Sequence, residues 1–315
     1  MKVYRSLDEI DHGFGPCALT IGNFDGVHAG HRRILRRVAA LARERGWKAS
    51  AMTFHPHPLK IVAPERAPKL LSTPEERIAI MAEEGIGQVL ILPFTPELMR
   101  MSPEEFAQSV VCNRLEAKAV LVGGNFRFGH RHAGDTAMLA EFGRRCGFAV
   151  EAVPPVTVRG RIVSSSEIRR VVGAGRVALA ARLLERPFVL SGSVVKGRGV
   201  GSKQTVPTLN LEPETEVLPA TGVYATRTLD ADGTRCWDSI TNVGYRPTFD
   251  DASGLTIETY LMDPLEGAAP QRIRVAFLTR LREERKFANP DDLKVQILKD
   301  VMRAKRFFRR IEGKV

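Results

Sequence analysis

Short apolar runs alternate with stretches of helical spacing in the first half of the chain. By length and composition the runs predict buried strands, at Ala18–Ile21, Ser50–Phe54, Gln88–Leu92, Ala119–Val122 and Phe148–Val153. One apolar helix face is predicted by Ile34, Leu35, Val38, Leu41 and Ala42. The segments Thr73–Glu76 and Ser102–Glu105 each combine an N-cap, a proline at N1 and a glutamate at N3, which is the pattern of a capping box. Strands that alternate with capped helices predict a doubly wound parallel α/β domain.

The pattern changes in the second half of the chain. Two helical segments, Glu167–Val172 and Val177–Glu185, end where Arg186-Pro187 breaks the pattern. The strand-like runs that follow predict a small antiparallel β-barrel, at Phe188–Val195, Gly222–Thr228, Cys236–Val243, Leu255–Met262 and Arg272–Leu278. A C-terminal helix from about Asp291 has a predicted apolar stripe of Leu293, Ile297, Leu298, Val301 and Met302. We therefore predict two domains, 1–185 and 186–315.

Composition limits the class of protein without indicating a function. With 315 residues, 43% hydrophobic and 26% charged, the chain is large enough for two globular cores. No apolar run is long enough to span a membrane, and the N-terminus lacks the apolar stretch of a signal peptide. Four scattered cysteines fit reduced thiols, so we expect a cytoplasmic protein.

The net charge of +11 favours anionic partners without choosing among them. Nucleic-acid binding, an enzyme that handles several phosphates, and a basic composition without specific meaning all remain open on charge alone. The histidines are more informative, since all seven precede Ala133. Imidazole chemistry therefore belongs to the first half.

The segment Thr20–His31, TIGNFDGVHAGH, predicts a strand, a glycine-rich turn and the first turn of a helix. Its glycines permit close backbone approach, and the free N–H groups of the helix form an anion site. His28 and His31 lie where that anion would bind.

Three further segments follow predicted strands or open a helix. These are Thr53–Pro58 (TFHPHP), Gly123–Asp135, which mixes glycine, basic and aromatic residues, and Arg161–Arg169, in which three serines open a helix. They suit contacts to phosphates and to a flat ring. Taken singly, the three segments also fit a rigid surface loop, a flexible basic loop and an ordinary helix N-cap, respectively.

The second half carries its own candidate chemistry. The loop Lys196–Gly201 predicts phosphate contacts at Gly197 and Gly199. Thr208 and Asn210 share one face of an extended segment and offer hard oxygen ligands for Mg²⁺ held with ATP. Glu258 is a carboxylate inside an apolar strand, and its alternative is a solvent-facing side chain.

GNFDGVHAGH resembles the HxGH-type phosphate motif of nucleotidyltransferases, and the four segments of the first half resemble, in order, the adenylyltransferase module of bacterial bifunctional FAD synthetases. The resemblance implies a nucleotidyltransferase fold and transfer of AMP from ATP to FMN. By resemblance, His28 and His31 stabilise the phosphates and the transition state. The further ATP- and phosphate-binding positions that it implies are Gly22, Phe24, Asp25, Gly26, Gly30, His57, Asn125, Arg161, Ser164, Ser165, Ser166 and Arg169.

The second half is similar to the riboflavin kinase module, through the glycine loop, PTLN, GVYA, NVGYRPTF, the strand glutamate and LREERKF. The resemblance implies Mg²⁺ and phosphate ligation by Thr208 and Asn210, and a general base at Glu258. The chain departs from the family at His55, usually acidic, at His132, usually arginine, and in the loop GSKQTVPTLN, where Thr205 replaces a glycine.

The resulting hypothesis is a bifunctional enzyme that converts riboflavin to FMN and FMN to FAD, with ATP and Mg²⁺ at both sites. The alternative is an FMN adenylyltransferase with a degenerate kinase domain. A third interpretation, nucleic-acid binding through the basic tail Arg303–Arg310, competes with a solvated helix face. The expected partners are ATP, riboflavin, FMN and FAD, with no nucleic acid and no membrane, and the oligomeric state stays open.

Overall fold

The structure is a computed structural model and describes residues 1–10, 13–195, 208–245, 255–285, 287 and 289–312. It divides into two compact units, Met1–Ser165 and Ser166–Val315. This division precedes Glu185, where the sequence predicts the boundary between functional domains, and that boundary stays a prediction. Within the described residues, no helix has the length and apolar character needed to cross a membrane.

The first unit is built on a six-stranded sheet in which every neighbouring pair is parallel, in the order β1-β4-β3-β2-β5-β6. The strands are β1 (Lys2–Tyr4), β2 (Cys17–Ile21), β3 (Lys48–His55), β4 (Gln88–Pro93), β5 (Ala117–Gly123) and β6 (Ala149–Val153). The chain turns to one side after β2 and to the other after β5, so the switch point of the sheet lies between these strands. Ligands of such sheets bind beyond the carboxyl ends at this point. The doubly wound parallel fold is confirmed.

The helices of the first unit begin largely where their capping residues predict. They are α1 (Ala29–Arg45), α2 (Pro58–Val62), α3 (Pro74–Glu83), α4 (Pro96–Arg100), α5 (Pro103–Glu105), which continues as the π-helix Phe106–Arg114, and α6 (Thr136–Cys146). Both predicted capping boxes form: Glu76 N donates to Thr73 Oγ1 at 3.2 Å and Thr73 N to Glu76 Oε2 at 2.9 Å, and Ser102 and Glu105 repeat the exchange. The π-helix is an element that no sequence pattern predicted.

Helices cover both faces of the sheet and bury two apolar clusters. On one face Ile34, Leu35 and Val38 of α1 pack with the strands, as their helical spacing predicts. The π-helix contributes Phe106 and Val110 to the cluster on the other face. Burial of apolar surface on both sides explains the continuous apolar character of the strands.

The second unit contains α7 (Ser165–Gly173), which starts at the last residue of the first unit, α8 (Val177–Leu184) and a closed antiparallel barrel in the order β10-β13-β12-β11-β14-β9. A small hairpin precedes it, β7 (Thr157–Val158) and β8 (Arg161–Ile162). The barrel strands are β9 (Phe188–Val195), β10 (Thr208–Pro213), β11 (Gly222–Asp230), β12 (Cys236–Tyr245), β13 (Leu255–Leu261) and β14 (Arg272–Glu283), and α9 (Pro290–Glu312) follows. The barrel and its C-terminal helix are confirmed, and β10 is an additional strand.

The predicted apolar stripe of α9 is confirmed only at Val301, which packs against the barrel, and is wrong at its other four positions. Leu298 and Met302 are 59% and 60% exposed, whereas Ala304 and Phe308 are buried against the barrel. The buried face also carries two polar residues, Gln296 and Asp300. They are placed there because Gln296 Nε2 donates to Asp300 Oδ1 at 2.7 Å, and Arg282 Nε donates to Asp300 Oδ2 at 2.8 Å.

A chain of buried hydroxyl groups crosses the barrel strands. Thr228, Ser239, Thr226, Thr241 and Thr259 are linked in that order by hydrogen bonds of 2.8, 2.9, 2.8 and 3.0 Å, and all five are fully buried. Ser239 Oγ also donates to the Thr226 carbonyl at 3.0 Å. Because each hydroxyl has one proton, this bond fixes the donor direction along the whole chain.

We predict that Thr226→Val destabilises the barrel by about 1–3 kcal/mol, because two buried hydroxyls each lose a partner. The measurement is the urea midpoint of the barrel, followed by Trp237 fluorescence in a Trp47→Phe background. The control is Thr279→Val, since Thr279 is a half-buried residue of β14. Equal midpoints for the two variants would contradict the prediction.

Candidate functional sites

The turn that follows β2 is held from inside by a buried carboxylate. Asp25 is 2% exposed, and its Oδ1 accepts hydrogen bonds from Leu71 N at 3.0 Å and Ser72 N at 3.2 Å. Ser72 Oγ also donates to this oxygen at 3.3 Å and accepts from Gly26 N at 2.9 Å. The segment before α3 therefore fixes the shape of the glycine-rich turn, and no sequence motif points to Ser72.

A buried arginine of α3 holds the same turn. Arg77 is 4% exposed, and its Nη1 donates to the Asn23 carbonyl at 2.7 Å and to Thr53 Oγ1 at 3.2 Å. Thr53 Oγ1 in turn donates to the Asn23 carbonyl at 3.2 Å. Desolvation lowers the pKa of Arg77, and the nearby charges of Asp25 and Glu75 oppose that shift.

The two predicted histidines meet at the start of α1. His28 is the N-cap, and its Nδ1 accepts a hydrogen bond from His31 N at 3.3 Å. The two rings stack with centroids 3.7 Å apart and planes at 14°, and the Phe24 ring lies edge-on to His31 at 5.1 Å. Because His28 Nδ1 is an acceptor, the proton of its neutral ring is on Nε2. Desolvation, His28 and Arg77 hold the pKa of His31 well below its usual value.

Glycine is required at two positions of this turn. A Cβ on Gly30 would lie 3.1 Å from Cε1 of His28, so a side chain would displace the imidazole. Gly26 has a φ of +77° and its Cβ would lie 2.9 Å from Leu71 Cδ1. Phe24 and Val27 are buried with φ of 49° and 37°, which is strained backbone for non-glycine residues.

The N-terminus of α1 differs electrostatically from those of α3 and α5. Its first turn has no acidic residue, whereas α3 and α5 each have two. The helix dipole therefore stays uncompensated there, which favours an anion. Arg32 and Arg36 both pair with the buried carboxylate of Glu84, at 2.5 Å between Arg36 Nε and Glu84 Oε2, and this anchors α1 beside the end of α3.

Two other predicted residues lie against the turn. His57 is the N-cap of α2, with Nδ1 accepting from Leu59 N at 3.2 Å, and its Nε2 lies 3.2 Å from the Asn23 side-chain nitrogen. Ser165 Oγ donates to the Asp25 carbonyl at 2.9 Å. Gly22 lies against the same turn, because a Cβ added at this position would be 3.3 Å from the Phe24 ring.

The remaining predicted residues of the first half lie on other segments of the chain. Asn125 and Arg161 are exposed, and Ser164 is half-buried. Ser166 and Arg169 are on α7 in the second compact unit, exposed and half-buried respectively. In the loop 123–135, Phe128 is 6% exposed and packs with Phe106, so its ring belongs to the core. The nucleotide contacts predicted for Asn125, Arg161, Ser164, Ser166 and Arg169 stay predictions.

The barrel brings the predicted kinase residues into one row. Asn210 of β10 pairs directly with Glu258 of β13, and Asn242 of β12 pairs with the same glutamate from the other side. Directly opposed residues share a face, with Cβ atoms about 4.5–5.5 Å apart. Thr208 is two residues from Asn210 and opposite Tyr260. The predicted Gly197 and Gly199 lie outside the described residues.

Asn242 is therefore a further candidate site residue, and it was not among the residues predicted from the sequence. It stands in NVGYRPTF, which the sequence analysis used as a motif without assigning a role to any of its residues. Its position beside Glu258 follows from the register of β12 with β13, and a single sequence does not reveal strand register.

The fold and the two polar sites define the class of protein: a parallel α/β nucleotide-binding unit and a β-barrel unit with an amide and carboxylate row. A family model described as FAD synthetase matches residues 11–167, and one described as riboflavin kinase matches residues 184–308. The bifunctional riboflavin kinase/FMN adenylyltransferase of Pseudomonas fluorescens is 35% identical over 305 residues, covering 97% of each chain. The Escherichia coli K12 protein of the same name is 34% identical over 311 residues, covering 98% of each.

A solved structure also matches over nearly the whole chain. It is described as a macrolide-efflux protein from Streptococcus pneumoniae, and it matches at a TM-score of 0.83 and 26% identity, covering 96% of this chain and 98% of that one. The present chain belongs to the family of bifunctional riboflavin kinase/FMN adenylyltransferases.

We predict that Asp25→Asn lowers the free energy of unfolding of the first unit by about 1–3 kcal/mol, because an amide NH₂ would face backbone N–H donors. Amide hydrogen exchange of β2 and β3 measures the loss. Asp8→Asn, at an exposed position, is the control. Unchanged protection in Asp25→Asn would show that the carboxylate does not hold the turn.

Proposed function

We propose that the chain phosphorylates riboflavin to FMN and then adenylylates FMN to FAD, using ATP in both reactions. The observation that carries the proposal is the presence of two separate polar sites in the two matched regions. The first is the histidine pair at the start of α1, beside the switch point of the sheet. The second is the Asn210–Glu258 pair of the barrel.

Adenylyl transfer needs no protein nucleophile. An oxygen of the FMN phosphate attacks the α-phosphorus of ATP, the bond to the β-phosphate oxygen breaks, and pyrophosphate leaves. The protein then acts through position and charge stabilisation. His28 and His31 would donate ring N–H hydrogen bonds to the phosphate oxygens, beside the uncompensated N-terminus of α1. This arrangement is supported by the acceptor role of His28 Nδ1, which leaves Nε2 as the donor.

Phosphorylation of riboflavin requires loss of the proton from its 5′-hydroxyl. Glu258 would accept this proton while the oxygen attacks the γ-phosphorus, and ADP leaves. Thr208 and Asn210 would hold Mg²⁺, since hydroxyl and amide oxygens are ligands that this ion accepts. When bound, the ion neutralises phosphate charge. The direct register of Asn210 with Glu258 supports a shared site.

The alternative is adenylyl transfer alone, with a degenerate kinase domain. The retained pair of Asn210 and Glu258 favours two active sites over one. The partners are then the small molecules ATP, riboflavin, FMN and FAD, without a nucleic acid, and we propose a cytoplasmic location.

One incubation with riboflavin, ATP and Mg²⁺, followed by separation of the flavins, tests the function. FMN and FAD should both accumulate. If neither forms, the proposal fails. If FAD forms only when FMN is supplied, the single-activity alternative is correct.

We predict that Glu258→Gln lowers FMN formation by about 10²–10⁴-fold, because the general base is lost. FAD formation from supplied FMN should continue. Flavin chromatography under both conditions measures the two rates, and Glu212→Gln, exposed on β10, is the control. Loss of both activities would contradict separate sites.

The reverse result is expected of His28→Ala. FAD formation should fall by about 10²-fold or more, because a phosphate donor and the helix cap are lost together. FMN formation from riboflavin should persist. Undiminished FAD formation would refute the role of His28.

A further inference from the structure

Arg77 is a buried cation to which neither the motifs nor the comparisons assign a role. In the sequence it follows the capping box of α3 and reads as an ordinary helical residue. In the structure its side chain enters the interior beneath the glycine-rich turn, and its Nε has no hydrogen-bond partner among the residues that the structure describes. A buried charge is costly unless compensated, so its retention there requires an explanation.

The contacts of Arg77 lead to the histidine pair in three steps. Its Nη1 donates to the Asn23 carbonyl at 2.7 Å, which fixes the residue before Phe24. Phe24 has a left-handed φ of 49°, and its ring lies 5.1 Å from that of His31. A shift of the Asn23 carbonyl would therefore move the ring that supports His31.

The same position places a permanent positive charge near His31. The titratable and charged groups that act on this imidazole are the stacked His28 and Arg77, while Asp25 partly compensates Arg77. Stacked rings 3.7 Å apart strongly disfavour a double positive charge. Approaching phosphates favour protonation of His31, and the cation opposes it.

We propose that Arg77 is a positioning residue for adenylyl transfer: its buried guanidinium fixes the Asn23 carbonyl beneath the histidine pair and places a positive charge on the inner side of that turn. The inference rests on the proposed function of the first unit. Arg77 is buried beneath the turn, where its Nη1 bonds to the Asn23 carbonyl. It acts through the Asn23 carbonyl and through its charge.

Two substitutions separate the charge of Arg77 from its shape. Arg77→Met keeps an unbranched side chain without charge, and Arg77→Lys keeps the charge without the planar fork. Arg144→Met removes an exposed arginine of α6 and is the matched control. Each variant is assayed for FAD formation from FMN across pH, and for FMN formation from riboflavin. NMR of the His31 ring follows its titration.

In Arg77→Met we expect the titration midpoint of His31 to rise, because one of the positive charges that lower its pKa is removed. The loss of FAD formation at low pH, where His31 becomes protonated, should then move to higher pH as well. kcat should fall about 10–100-fold, since the turn is displaced. Arg77→Lys should keep the wild-type midpoint with a smaller loss of kcat, and Arg144→Met should change neither.

Riboflavin phosphorylation serves as the internal control and should be unchanged throughout. If Arg77→Met lowers kcat for FAD formation but leaves the titration midpoint of His31 unchanged, Arg77 acts only on the structure of the turn, and the inference is overturned. Wild-type rates in Arg77→Met would overturn it as well. If the wild-type chain itself forms no FAD from FMN, the proposed function fails instead.

Discussion

The buried carboxylate of Asp25 is the constraint on which the first site depends. The turn after β2 contains two non-glycine residues with positive φ, Phe24 and Val27, and such strain persists only when surrounding contacts impose it. Asp25 supplies those contacts by accepting hydrogen bonds from the backbone of Leu71 and Ser72. Arg77 adds its bond to the Asn23 carbonyl. The position of the two imidazoles thus follows from buried polar groups that hold the turn from beneath.

The second site depends on a different constraint, which is strand register. In a closed barrel every strand has two fixed neighbours. Because side chains alternate between the two faces of a strand, a slip of one residue along the neighbours would turn Glu258 to the interior and Thr259 outward. The buried hydroxyl chain opposes such a slip, because Thr259 is bonded to Thr241 and would lose that partner. Asn210 and Asn242 then flank Glu258 without any special loop.

Local signals were enough to predict much of the fold. The strands β2 to β6 and the capping boxes at Thr73 and Ser102 depend on neighbours within a few residues, and the sequence contains those neighbours. Ser72 and Arg77 act on residues 46 to 54 positions away, which no local pattern reports. The stripe of α9 was misassigned because Arg282 draws the polar Asp300 to the barrel side, and periodicity counts only apolar residues.

The two sites therefore differ in what would damage them. The histidine pair is held by a few long-range contacts to one short turn, so a single change at a buried polar residue alters both the geometry and the electrostatics of the site. The barrel row is held by many backbone hydrogen bonds along three strands, and these survive a change of one side chain. Substitutions that preserve the fold should consequently leave the row of Asn210, Glu258 and Asn242 in place. The position of His31, by contrast, depends on the hydrogen bonds that Arg77 and Asp25 make to the backbone of the turn and of the segment before α3.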